Sequence, residues 1–208
     1  MTSANLVSNR AQLRKRLRQQ RRALSAKQQR LASEQLARTL LSSPLLFRAK
    51  RIAIYLAADG EIDPATFAHK AQQRGKRIYL PSLHPVRKGH LWFGPLQGQR
   101  VKNQFGMWEP APRSCVMLSA RELDAVLMPL VGFDDQGGRL GMGGGFYDRT
   151  FAYKQVSWMS TQASVMRPKL IGLAHHFQQV TSLPIEPWDV PLQAIATDEQ
   201  IRVFTVGV

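Results

Sequence analysis

The sequence predicts an α/β fold built on a mainly parallel sheet, and three observations carry that expectation. Short apolar runs, among them Arg51-Ile-Ala-Ile-Tyr-Leu-Ala57 and Ala125-Val-Leu-Met-Pro-Leu-Val-Gly-Phe133, read as buried strands. A stretch of helical periodicity lies between Arg51–Ala57 and the next strand, which makes a β-α-β unit with parallel strands. A glycine-rich stretch, Gly137 to Gly145, stands between a strand and a helix start. That layout lets bare backbone N–H groups face a phosphate.

Composition bounds the problem. The 208 residues suffice for one α/β domain, so residues 1–208 are expected to form a single domain with helices over 9–42 packed on it. A single cysteine, Cys115, cannot form an internal disulfide and suits a reducing compartment. No apolar signal core opens the chain and no apolar run approaches a membrane span, so the expectation is cytoplasmic, without a membrane partner. The net charge of +15 is unevenly spread: residues 1–51 carry 13 Lys/Arg and one acidic residue, Glu34. Such a basic segment suits an anionic partner: nucleic acid, a nucleotide or a polycarboxylate.

Taken in order, residues 9–22 read as a helix with Asn9 or Ser8 as N-cap, and Leu13, Leu17 and Leu24 supply a narrow apolar stripe. Arg10, Arg14, Arg18 and Arg22 form a cationic stripe beside it; a solvated face is the expectation for most of them. Arg10 and Arg14 are expected near the positive helix end, where a ligand is in reach. Ser25-Ala-Lys-Gln28 resembles a capping box opening a second helix to about Leu41, with Leu31, Ala32, Leu36, Ala37 and Leu40 buried.

Strand 51–57 leaves through Ala58-Asp-Gly-Glu-Ile-Asp-Pro64, a helix follows to about Arg74, and Arg77–Leu83 is the next strand. Glu61 lies in a loop at a strand's carboxyl end, so it is either a site residue or a solvated carboxylate. His90–Leu96 is a shorter strand. Residues 101–112 look irregular; Phe105 and Trp108 could cover a flat heteroaromatic ligand, although a flap packed on the core is preferred. After the glycine stretch, residues 146–165 read as a helix, Lys169–Phe177 as a strand and Ala194–Thr197 as the last strand. His175 and His176 would point to opposite faces of that strand and share no metal. Asp189 reads as a turn residue or a magnesium ligand.

The glycine stretch is the most informative. Six glycines, Gly137, Gly138, Gly141, Gly143, Gly144 and Gly145, exceed what a turn needs. The stretch lacks the Gly-Lys-Ser/Thr ending of a Walker loop and the third glycine of the dinucleotide fingerprint. A phosphate-binding loop is the favoured reading, a flexible lid or structural turn the other. Arg139 could add a charge-assisted contact to phosphate, and Asp148 could cap the helix or hold magnesium.

With Gly132-Phe-Asp134, Arg139-Leu-Gly-Met-Gly-Gly-Gly-Phe-Tyr-Asp148, Tyr55-Leu56, Glu61-Ile62, Phe105-Gly106, Glu109-Pro110 and Glu186-Pro-Trp-Asp-Val-Pro-Leu192 assembled, the chain resembles the 5-formyltetrahydrofolate cyclo-ligase family over residues 9–199. The resemblance implies a three-layer α/β/α sandwich preceded by a basic helical segment. It implies ATP- and Mg²⁺-dependent conversion of 5-formyltetrahydrofolate to 5,10-methenyltetrahydrofolate, with ADP and phosphate released through a phosphorylated formyl (imidoyl phosphate) intermediate. Arg10, Arg14, Arg139, Leu140, Gly141, Met142, Gly143, Gly144, Gly145, Phe146 and Tyr147 would hold ATP, and Asp148 and Asp189 magnesium. Leu56, Glu61, Trp108 and Tyr147 would line the folate pocket, with Glu61, Arg139 and Tyr147 closest to the chemistry. Basic residues nearby would suit a polyglutamylated substrate. Nucleic acid is not required, and a basic RNA-associated module without folate activity is the competing class.

Overall fold

No glycine or proline interrupts the chain before Pro44, and α1 runs uninterrupted from Ser3 to Arg22 in the computed structural model. The structure describes residues 3–154, 167–184 and 186–204, with side chains from Arg10 onward. Neither Ser8 nor Asn9 caps the helix, because both lie within it. Arg10 and Arg14 are therefore about two turns or more from its positive end, and their role does not come from the helix dipole.

α2 (Ala26–Ser42) starts as its sequence dictates, with Ser25 and Gln28 exchanging backbone and side-chain hydrogen bonds at 3.3 and 2.8 Å. Ala32, Leu36, Ala37 and Leu40 are buried, while Leu31 is half exposed because it sits about 100° around the helix from Ala32. Ser43 ends α2 and caps the short α3 (Pro44–Phe47).

β1 (Arg51–Ala53), α4 (Ala65–Gln73) and β2 (Arg77–Leu83) form the expected β-α-β unit, with Arg51 opposite Arg77 in parallel register. β3 (Leu91–Pro95) returns antiparallel to β2. Residues 101–112 are not irregular: β4 (Arg100–Lys102) pairs antiparallel with β5 (Trp108–Pro110) in a hairpin. β6 (Ala125–Pro129) leads to β7 (Gly132–Phe133), which pairs with β8 (Arg139–Leu140) before α5 (Phe146–Phe151). The expected continuation of α5 through 155–165 lies outside the described residues. β9 (Lys169–Leu173) and β10 (Ala194–Ala196) complete the parallel strands, and β11 (Ile201–Val203), not anticipated, turns back beside β10.

The main sheet has the order β11-β10-β9-β6-β1-β2-β3, parallel throughout its middle and antiparallel at both edges. Alternate strand residues enter opposite cores, as a two-residue period requires. Ile52, Leu127 and Ile171 pack with Leu36, Leu40 and Phe67 of α2 and α4. Ala53, Val126, Met128 and Ile195 pack on the other side with Phe93 and Phe151, the latter from α5. Helices thus cover both faces of a mainly parallel sheet. From β1 the chain builds β2 on one side and β6 on the other. The crevice beyond the carboxyl ends of β1 and β6 is therefore the place where such sheets take ligands.

Candidate active site

The loop leaving β1 turns sharply at Asp59-Gly60, with φ of 55° and 74°. A side chain at Gly60 would put its Cβ 2.6 Å from the Arg21 carbonyl oxygen, so glycine is needed for α1 to lie against the turn. Asp59 gathers three arginines of α1. Its carboxylate accepts from Arg18 Nε at 2.7 Å, from Arg21 Nη2 at 2.6 Å and from Arg22 Nε. Arg21 Nε also donates to the Asp59 carbonyl at 2.7 Å. Burial works against the Asp59 charge, but the three arginines outweigh it and hold the carboxyl far below its usual range. The basic stripe is thus no solvated face: Arg21 is fully buried and Arg18 engaged, and only Arg22 stays largely open. Reading the sequence missed both Arg21 and Asp59. The Asp-Gly dipeptide, a frequent left-handed turn, was the available signal.

Glu61 follows two residues later. Its Oε2 accepts from Ala58 N at 3.1 Å, and its Oε1 lies 3.7 Å from Arg21 Nη2. Burial raises its pKa, with the Ala58 N–H and Arg21 pulling the other way. The carboxylate is therefore not a solvated loop charge. Burial raises the Tyr147 phenol strongly, and the charge of Glu61 adds to that while Arg139 opposes it. Glu61 from the β1 loop and Tyr147 from α5 thus lie within reach of each other's charge. Leu56, on the same loop, is partly open to solvent.

The hairpin packs on the core along β5, where Glu109 and Pro110 are buried and Leu83 N donates to Glu109 Oε2 at 3.1 Å, but its aromatic side chains do not. Phe105, Met107 and Trp108 are 56%, 53% and 54% exposed, because β4 and β5 lie outside the main sheet and leave these side chains uncovered. Phe105 meets Phe146 edge-on at 5.9 Å, which sets the hairpin tip against the start of α5. Lys102 lies 5.3 Å from the Trp108 ring.

The glycine stretch is held from beneath by Asp134, which is 3% exposed. Its carboxylate accepts from the backbone N of Gln136, Gly138 and Leu183 at 3.1, 2.7 and 2.9 Å. A Cβ on Gly138 would come within 2.5 Å of that carboxylate. Leu140 is buried against Leu17, Val131 and Leu183, so its side chain belongs to the core and cannot touch a ligand. Gly141, Met142, Gly143, Gly144 and Gly145 continue the loop to Phe146 and Tyr147 of α5, and Met142, Gly143 and Gly144 face solvent. Arg14 Nε donates to the Gly141 carbonyl at 2.8 Å, placing its guanidinium beside the loop.

Arg139 ion-pairs with Asp148, whose Oδ1 also accepts from Val190 N at 3.2 Å. Asp148 does not cap α5; Gly145 occupies the cap position in left-handed conformation, and Asp148 turns inward to Arg139. Asp189 Oδ2 accepts from Arg10 Nη1 at 3.2 Å and from Glu186 N at 3.0 Å. Burial lowers the Arg139 pKa, while Asp148, Asp189 and Tyr147 offset it. Arg10, Arg139, Tyr147, Asp148 and Asp189 therefore form one electrostatic cluster, with Arg14 at its edge.

Asp148 Oδ1 accepts from the backbone N of Val190, the residue after Asp189, and each aspartate keeps one carboxylate oxygen without a hydrogen bond to a described residue. Two hard oxygen donors fit a magnesium ion that takes its remaining ligands from phosphate and water. No group of three or more His, Cys, Asp or Glu suited to a metal occurs among the described residues. The two histidines diverge for a reason other than strand alternation. β9 ends at Leu173, His175 meets the Gly60 carbonyl at 3.2 Å, and His176 lies in a 3₁₀ turn beside Glu199.

This geometry can be set beside known proteins. The profile of the 5-formyltetrahydrofolate cyclo-ligase family matches residues 7–198. The chain is 38% identical to the 5-formyltetrahydrofolate cyclo-ligase of Escherichia coli, covering 89% of this chain and 98% of that protein. It is 42% identical to the Haemophilus influenzae protein of the same name, covering 89% and 96%. The NMR structure of Aquifex aeolicus 5,10-methenyltetrahydrofolate synthetase superposes with a TM-score of 0.76 at 26% identity, covering 96% and 94% of the two chains. A nearly full-length profile match, relatives this similar and the same α/β architecture converge: the chain belongs to the 5-formyltetrahydrofolate cyclo-ligase family.

Proposed function

We propose that this protein closes 5-formyltetrahydrofolate to 5,10-methenyltetrahydrofolate at the expense of ATP. The observation that carries the reading is the approach of an arginine-flanked glycine loop to Glu61, with Arg21 Nη2 lying 3.8 Å from Met142 Sδ and 3.7 Å from Glu61 Oε1. Polar N–H groups and guanidinium groups suit a triphosphate; a largely buried carboxylate within reach of a phenol suits a reduced pterin.

The chemistry explains why such a site is needed. A formamide oxygen is a poor nucleophile and a worse leaving group. Its attack on the γ-phosphorus of ATP forms a C–O–P linkage and releases ADP, giving an imidoyl phosphate. N10 then adds to the activated carbon and gives up its proton to solvent, the C–O bond breaks to release inorganic phosphate, and the methenyl bridge remains. Arg10, Arg14 and Arg139, with the loop amides from Gly141 to Gly145, hold and neutralise the triphosphate. Glu61 and Tyr147 orient the pterin and the N-formyl group, Leu56 and Trp108 bound its apolar faces, and no nucleophilic side chain takes part. Asp148 and Asp189 would hold magnesium, which supplies charge neutralisation at the phosphates. Exposed cations such as Lys102 suit an extended glutamate tail.

Arg10, Arg14, Arg18, Arg21 and Arg22 of α1 are engaged with Asp59, Asp189 and Gly141, leaving Arg16 exposed, which disfavours a nucleic-acid-binding stripe along the helix. No described helix is long and apolar enough to cross a membrane. An absorbance assay with 5-formyltetrahydrofolate, Mg²⁺ and ATP tests the proposal. Growth of the near-ultraviolet methenyl band that requires ATP is expected; no band from folded, ATP-binding protein would overturn it.

A further inference from the structure

The guanidinium of Arg21 stands where both halves of the crevice meet. Its Nε and Nη2 are anchored on Asp59 at 2.7 and 2.6 Å, and the same Nη2 lies 3.7 Å from Glu61 Oε1 and 3.8 Å from Met142 Sδ of the glycine loop. The side chain is 0% exposed, and its backbone is pinned because its carbonyl abuts Gly60 and accepts from Gln29. Nη1 is buried with no hydrogen-bond partner among the described residues. An apolar side chain would avoid that unpaired donor, so the forked cation is not explained by stability alone.

Glu61, by contrast, sits on a loop with no regular structure between Ala53 and Ala65. Its other polar partner, Ala58 N, belongs to the same loop. Among the described residues, Arg21 is thus the polar contact that ties the Glu61 carboxylate to a rigid helix. We propose that Arg21 is a positioning residue: anchored on Asp59, it sets the place of the Glu61 carboxylate and, through Met142, ties that placement to the glycine loop. The proposal rests on the reading of Glu61 as a folate-pocket residue.

The charged and titratable groups facing Glu61 are Arg18 and Arg21 from α1, Asp59 from its own loop, Tyr55 just after β1 and Tyr147 from α5. Removing the Arg21 charge leaves burial less opposed, so Glu61 would hold its proton to a higher pH. Lysine keeps the charge but cannot span Asp59 and Glu61 as a fork does.

The test is steady-state kinetics on Arg21→Met, Arg21→Lys, Glu61→Gln and the double variant Arg21→Met/Glu61→Gln. We expect Arg21→Met to lower kcat/KM for the folate about 100-fold, the scale of a ~1 Å misplacement, while KM for ATP stays near its original value. The acid limb of its pH profile moves to higher pH, Arg21→Lys recovers part of the loss, and Arg21→Met adds little to Glu61→Gln. Additive losses, or an acid limb left in place, would overturn the positioning role and leave Glu61 standing. Wild-type turnover by Glu61→Gln would instead overturn the reading of Glu61, and the positioning role with it. If melting shows Arg21→Met unfolded, Asp59→Asn, which loosens the anchor and keeps the arginine, is read in the same cycle.

Discussion

Arg10 Nη1 and Asp189 Oδ2 stand 3.2 Å apart, joining the first helix to the loop before β10 across 179 residues of chain. Both side chains are about nine-tenths buried, at 10% and 12% exposure. Val190, the residue after Asp189, donates its backbone N–H to Asp148 at 3.2 Å, so the Arg139–Asp148 pair lies nearby.

That placement predicts the behaviour of Asp189→Asn. The amide can still accept from Glu186 N, so folding should be kept, but it is a poorer magnesium donor. Turnover titrated with Mg²⁺ should reach half its maximum at a concentration about tenfold or more above that of the parent, and chelation should stop both. An unchanged Mg²⁺ requirement would remove Asp189 from the metal site.

Asp134 predicts a stability effect rather than a chemical one. Asp134→Ala leaves the buried backbone N–H groups of Gly138 and Leu183, and the partly buried one of Gln136, without their acceptor, at a cost of about 3 kcal/mol in denaturant unfolding. Asp134→Asn keeps Oδ1 for Gln136 and Gly138 and loses chiefly Leu183, so about 1–2 kcal/mol is expected. Equal costs for the two variants would count against this geometry.

Asp59 predicts a pH dependence. Its folded carboxyl is held below its unfolded value of about 3.9, so its stabilisation is complete above that pH and lost as pH falls through the folded value. Asp59→Ala strands the fully buried Arg21 and should cost about 3–5 kcal/mol at neutral pH. Urea midpoints measured against pH should show the parent and the variant converging in acid; a gap independent of pH would contradict the ion-pair account.

Trp108 separates packing from binding. Being half exposed, its replacement by alanine should change stability by no more than about 0.5 kcal/mol. If its ring covers the pterin, folate KM should rise about tenfold, the worth of one aromatic contact. A large loss of stability with unchanged KM would restore the packed-flap reading.

The sequence made the local events legible. The Ser25–Gln28 cap, the β-α-β unit and the strand before the glycine stretch depend on neighbours within a few residues, and each is present, although β1 stops at Ala53 rather than Ala57 and the 125–133 run breaks after Pro129 into β6 and the separate β7. The hairpin over 100–110 was missed because its two strands are three residues each and carry weak alternation. The start of α1 was missed because a polar side chain is a cap only if the helix has not already begun, and here nothing before Asn9 stops it.

By itself, then, the sequence determined an α/β fold, a basic N-terminal helix and a glycine loop followed by Asp148, because periodicity and backbone freedom are written in adjacent residues. Only the tertiary structure decided which charges meet. Arg21 and Arg22 differ by one position and both reach Asp59, yet one is sealed between Asp59 and Glu61 while the other keeps about half of its side chain in water. The reason is geometric: one residue is about 100° around a helix. Which side becomes the interior depends on the Asp59-Gly60 turn docking from the far end of β1.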